Sequence, residues 1–177
     1  MSRKSEERRA AGAALRTAID WSALDMSCGH CEWHYSDPAD REGEARPHCF
    51  GATGAIDPDR LARAHALDCK KSEAFPHGTK WAQSCVWTMQ LDHPWAALEI
   101  LRRAAEACTT DWQRCKLGCG NLESLLGNNG ALIIDEVERI ARASDAFREC
   151  LSHVWQHGMP EDVWHRVLKA SGREPIP

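Results

Sequence analysis

The sequence lacks a long apolar run. Ala131-Leu132-Ile133-Ile134 is typical of its apolar stretches, far short of the roughly 20 residues a membrane-spanning helix needs. This excludes a helical membrane protein. A cationic excess is also missing: 22 basic against 26 acidic residues give a formal charge of -4. No global field therefore draws the chain to nucleic acid or anionic lipid. The start, Met1 to Arg9, is charged and runs into alanines without an apolar h-region. It does not read as a secretory signal, and the expected location is cytoplasmic. There is no phosphate loop, no dinucleotide fingerprint and no His-Glu-x-x-His metalloprotease motif. No nucleophile–base pattern stands above chance, so no catalytic residue is assigned and the expectation leans against an enzyme.

Nine cysteines and eight tryptophans are what the chain does have. Nine Cys in 177 residues is about 5%, below the roughly 8–10% of a disulfide scaffold. The count is odd, and a reducing cytoplasm disfavours bridges, so clustered cysteines point to metal. The tryptophans are expected mainly as core anchors, with a few left for an interface.

Helical signals dominate. Residues 4 to 19 are rich in Ala, Arg and Glu. Asp57-Pro58 reads as an N-cap followed by Pro at the first helical position, opening a helix to about Cys69. After the break Phe75-Pro76-His77-Gly78, another helix is expected over about 79 to 90. Beyond His93-Pro94, Ala97, Leu98, Leu101, Ala104, Ala105 and Cys108 form one stripe. A short helix over 110–117 should end at Gly118-Cys119-Gly120, and one carrying Leu122, Leu125 and Leu126 at Gly127-Asn128-Asn129-Gly130. Ile133, Val137, Ile140 and Ala141 mark the next buried face, with Glu138 and Arg142 as an exposed i, i+4 pair. Ser144 caps a helix that should bury Phe147, Leu151, Val154 and Trp155. Pro160 opens the last, with Val163, Trp164, Val167 and Leu168 inward. The fold class expected is all-α: an array of short antiparallel helices over 93–177, with residues 1–92 forming an N-terminal helix and a Cys/His-rich region pinned by metal.

The C-terminal half also resembles a known family. Trp95-Ala96, Leu117-Gly118-Cys119-Gly120-Asn121-Leu122-Glu123-Ser124-Leu125-Leu126, Gly130, Ile134-Asp135-Glu136-Val137-Glu138, Ala141, Phe147-Arg148, Val154-Trp155 and Val163-Trp164 carry the likeness. The family is an uncharacterised bacterial one of small helical domains of unknown function, with a Gly-x-Gly-Pro-Leu-Glu-x-Leu-Leu turn-and-helix. The resemblance covers about residues 93 to 170. Asn121 stands where proline is usual, and Asn also suits a helix start. The resemblance implies a helical fold and no particular activity.

Chemistry concentrates before residue 92. Cys28-Gly29-His30-Cys31 is a Cys-x-x-Cys pair of the kind that grips one tetrahedral metal from a tight turn. Downstream lie His34, His48, Cys49, His65 and Cys69, the last two four apart on an expected helix and so on one face. The expected site is a structural Zn²⁺ held by Cys28, Cys31, Cys49 and Cys69, with His48 or His65 as substitute ligands. Four such ligands leave no water position, which makes the role structural. Zinc would pin residues 27 to 56, where Ser36-Asp37-Pro38, Arg46-Pro47 and Gly51-Ala52-Thr53-Gly54 are loop material. The plainer reading makes these cysteines small buried hydrophobes.

Cys-Gly-His-Cys also resembles the active-site tetrapeptide of protein disulfide isomerases, but the preceding apolar strand and following long helix are missing. Arg148 to His153 and Arg60 to His65 match the Arg-x4-His spacing of helical HEPN-type RNases, a pattern expected by chance in this composition. Cys108, Cys115, Cys119 and Cys150 read as core packing. Arg60, Arg63, Lys70, Lys71 and Lys80 form a basic cluster beside the metal region. The function these features favour is a non-catalytic protein-interaction module with a protein partner, of inhibitor, immunity or assembly-subunit type. The alternatives are a zinc-supported nucleic-acid binder using the basic cluster, and a thiol oxidoreductase at the Cys-Gly-His-Cys motif.

Overall fold

The computed structural model describes residues 19–24, 56–67 and 79–173. Of these, 78% are helical and none form a strand, so the described fold is all-α. The helices are α1 (Pro58–Leu67), α2 (Lys80–Asp92), α3 (Pro94–Ala107), α4 (Asp111–Leu117), a π-helical turn (Gly118–Leu122), α5 (Glu123–Ala143), α6 (Asp145–Leu151) and α7 (Glu161–Ser171). Among the described residues no helix is long and apolar enough to cross a membrane.

Local chemistry sets most of the boundaries. Asp57 Oδ1 accepts from the Arg60 amide at 2.9 Å, capping α1 with Pro58 in its first turn. Pro94 likewise opens α3, with only His93 between it and the end of α2. Thr110 and Gln113 form a reciprocal capping box at α4. Ser144 accepts from the Phe147 amide to start α6, and its hydroxyl also donates to Glu106 on α3. Gly172, at φ 76°, closes α7 in the left-handed conformation.

One core unites these helices. The α3 stripe Ala97, Leu98, Leu101, Ala104 and Ala105 is fully buried, as its spacing requires. It meets Leu61 and Ala64 of α1, Val86 and Met89 of α2, and Leu125, Ile133 and Val137 of α5 within one cluster. Each fully buried Leu, Ile or Met contributes about 1.5–3 kcal/mol of burial free energy. Arg166 on α7 holds Glu138 at 2.8 Å and Asp135 at 2.6 Å, tying α7 to α5. These carboxylates raise the Arg166 pKa further, the Glu138 bond most. Glu138 hydrogen-bonds to Arg166, and the charge of Arg142, its expected i, i+4 partner, also lowers its pKa.

One expected helix break is absent. The helix runs unbroken through Gly127-Asn128-Asn129-Gly130 as part of α5. Asn128 Nδ2 donates back to Ser124 O at 3.0 Å, and Asn129 Nδ2 to Gln90 O on α2 at 3.0 Å. A Cβ on Gly130 would lie 2.6 Å from Val163 Cγ1, so this glycine lets α7 press against α5. The other expected break is present: α4 ends at Leu117, and Gly118-Cys119-Gly120 forms a π-helical turn kinked at Gly120 (φ -112°, ψ -105°) before α5 begins. Trp155 is 68% exposed, against expectation. Helix α6 ends at Leu151, so the helical period no longer governs where residue 155 lies.

Candidate functional site

The π-helical turn carries an unusual polar arrangement. His65, near the end of α1, is 6% exposed. Its Nε2 lies 3.1 Å from Asn121 Oδ1 in the turn. Asn121 O accepts from Gln90 Nε2 at 3.0 Å, and Gln90 O accepts from Asn129 Nδ2 at 3.0 Å. Gln90 is itself 1% exposed. Four side chains from α1, α2, the π-turn and α5 thus form one connected polar chain between the packed helices. Buried polar groups are tolerated when paired in this way.

One atom of that chain stays unpaired. Burial pushes the His65 pKa down to about 4; the Asn121 bond opposes this, and the Lys116 charge adds to it. The imidazole is therefore neutral at pH 7. Facing a carbonyl oxygen, Nε2 carries the proton, which leaves Nδ1 as a bare acceptor. Nδ1 is buried and has no hydrogen-bond partner among the described residues. Such an orphan costs about 1–3 kcal/mol.

His65 and Asn121 border a recess of about 360 Å³, with Leu67, Gln83, Trp112, Gln113, Lys116 and Cys119 around it. Gln83 and Asn121 also border a shallower recess of about 320 Å³ with Ser84, Trp87 and Thr88. The two recesses share Gln83 and Asn121 and together make one grooved face. Its aromatic and aliphatic edges stay uncovered: Trp112 is 70% exposed, Trp87 54% and Leu67 42%. Lys116 is the only charged side chain among these residues at neutral pH.

Of the expected metal ligands, His65 alone lies within the described residues. Cys28, Cys31, His48, Cys49 and Cys69 lie outside them, as do Lys70 and Lys71 of the basic cluster and the whole Cys-Gly-His-Cys motif. Among the described residues no three His, Cys, Asp or Glu side chains come together to hold a metal. Arg63 is exposed on α1. Cys108 and Cys150 are buried as expected; Cys115 is half-buried and Cys119 exposed, which corrects their reading as core. The π-turn swings Cys119 out while Gly118 faces inward.

The groove itself escaped the sequence reading. Its residues are spread from 65 to 121, and only the tryptophans gave a compositional hint. These helices and this groove define a class, an all-α domain built around a glycine-bounded π-turn. The chain belongs to the family of unknown function (DUF6869), whose model matches residues 70–174. The match reaches upstream of the resemblance seen in the sequence and takes in α2. No curated protein and no solved structure matches the chain.

Proposed function

We propose that this chain is a non-catalytic protein-interaction module, of the inhibitor, immunity or assembly-subunit kind, and that the α1/α2/π-turn groove is its contact face. The carrying observation is the pair Trp87 and Trp112, 54% and 70% exposed beside a charge-poor groove. Tryptophan gains most when a partner covers it, and interface centres are depleted of charge. Gln83, Asn121 and Gln113 add polar groups to the groove's lining.

The test uses tagged full-length chain as bait in extract from its native host, beside Trp87→Ala and Trp112→Ala. One stoichiometric protein captured by the wild type and lost with either variant supports the reading. Because both residues are exposed, each substitution should change stability by no more than about 0.5 kcal/mol. Co-purified nucleic acid that both variants retain would replace this reading with the nucleic-acid one.

A structural zinc in the N-terminal part belongs to the same proposal. The donor set Cys28, Cys31, Cys49 and Cys69, with His48 or His65, suits borderline-soft Zn²⁺. His65 fits as a ligand: a metal-bound imidazole donates its other N–H to a carbonyl or carboxylate, the role Asn121 Oδ1 fills here. The orphaned Nδ1 lone pair would then face the metal. Zinc near one per chain is expected in protein purified without a chelating tag. It should disappear in Cys28→Ser and Cys31→Ser and on acidification, because protons compete for the thiolates. Metal-free wild-type protein would remove zinc from the proposal and leave the groove reading in place.

A further inference from the structure

Another recess lies where α5, α6 and α7 come together. It measures about 240 Å³ and is bordered by Glu138, Ala141, Arg142, Arg148, Lys169 and Ala170. It shares no residue with the α1/α2/π-turn groove. A helix C-terminus favours a nearby cation, and Arg142, Arg148 and Lys169 each stand in the last turn of their own helix. No single helix explains why three such cations share one recess, where like charges repel.

The nearby carboxylates leave a positive balance. Glu138 is held by two hydrogen bonds from Arg166, each 2.8 Å. Asp145 pairs with Arg148 at 2.6 Å, but its side chain is almost fully exposed, so water screens that pair. Ala141 and Ala170 are too short to fill the space between the long cationic chains.

We infer that this recess is a binding site for a phosphate monoester. An anion there relieves the repulsion among the three cations. The volume is below the roughly 300–1,000 Å³ of pockets that enclose whole ligands, so the recess admits one charged group. A phosphate monoester carries a charge of about -1.5 to -2 at neutral pH, which suits three cations set against one carboxylate. A carboxylate carries a single charge, as does the phosphodiester of nucleic acid. The three terminal oxygens of the monoester can each face a different helix, whereas a carboxylate has two. Two of the three cations are arginines, whose planar fork bonds phosphate bidentately. Binding forms ion pairs and hydrogen bonds only, and the ester stays intact.

The experiment titrates the isotope-labelled full chain with methyl phosphate, dimethyl phosphate or acetate at constant ionic strength. Methyl phosphate should shift the amide resonances of Arg142, Arg148 and Lys169 saturably, and the other two anions far less. Arg142→Gln and Lys169→Gln should each weaken methyl phosphate binding about fivefold, the upper range for an exposed ion pair. Both residues are exposed, and the spectrum of each variant reports whether it is folded. Arg139→Gln is the control. It removes the same charge from α5, but Arg139 pairs with Glu136 and does not border the recess, so binding should stay near wild type. The absence of a saturable shift overturns the site. So does equal binding of acetate or dimethyl phosphate, or equal weakening by Arg139→Gln. Glycerol phosphate and a phosphoserine peptide then separate the two sources of the group. Tighter binding of the first supports a metabolite at this site, and of the second a modified protein.

Discussion

Replacing Gly118 with alanine is expected to destabilise the protein by about 3 kcal/mol, the upper range of overpacking. An added Cβ would sit 2.2 Å from the carbonyl oxygen of Cys150 and 2.8 Å from His153 Cβ. The first neighbour is backbone and cannot swing aside. Relief would require the π-turn to move off the end of α6, uncovering Cys150 and Leu151, both 0% exposed. Gly120 is the internal control. It lies two residues away, and a Cβ there would meet nothing within 4 Å. Gly120→Ala should therefore cost far less, leaving only the strain of its unusual backbone angles. Urea denaturation of the two variants beside wild type measures the difference. Similar losses for both would mean that chain conformation, and not the close approach to α6, explains the glycine at 118.

The second large effect is on acid stability and belongs to His65. Its folded pKa is about 4 against an ordinary 6.5, chiefly because burial disfavours the charged form. The unfolded chain therefore binds a proton that the folded chain refuses between these values. Stability from this residue is complete above pH 6.5 and declines as pH falls toward 4, where folded His65 also protonates. The decline amounts to about 3 kcal/mol, at about 1.4 kcal/mol per pKa unit. A His65→Gln variant lacks this proton linkage. Stability measured against pH with chelator present should show the two proteins converging by that amount between pH 6.5 and 4. Parallel curves would show that His65 titrates normally and that its ring is reached by water.

The polar chain explains why such a costly group sits here at all. His65, Asn121, Gln90 and Asn129 come from four separate elements, and each link is a single hydrogen bond of 3.0 to 3.1 Å. An apolar core would hold the helices without fixing their register, whereas these bonds are satisfied in one arrangement only. Asn121 is central, since its side chain meets α1 and its carbonyl meets α2. The same residue borders the groove flanked by Trp87 and Trp112. Placement of the proposed contact face and packing of the core are therefore joined at the π-turn.

Much of the helical frame could be read directly from the chain. Pro58, Pro94, Thr110 and Ser144 start helices by local chemistry that involves only neighbours within a turn. The α3 stripe announces its buried face by period alone. Glycine was harder to read, because its meaning depends on what lies opposite. Gly127-Asn128-Asn129-Gly130 has the composition of a break, yet Asn129 finds Gln90 and Gly130 finds Val163 from elsewhere in the chain. Trp155 kept the helical period on paper after the helix had already ended at Leu151. The cysteines illustrate the same limit: all four of 108, 115, 119 and 150 read as core, but packing leaves Cys119 exposed and Cys115 half-buried while it covers 108 and 150. The sequence by itself determined the helical class, most helix starts and the apolar faces, because caps and periodicity act over a few residues. The groove, the orphaned His65 nitrogen and the π-turn's role were decided by tertiary structure, because each depends on atoms that packing alone brings together from distant parts of the chain.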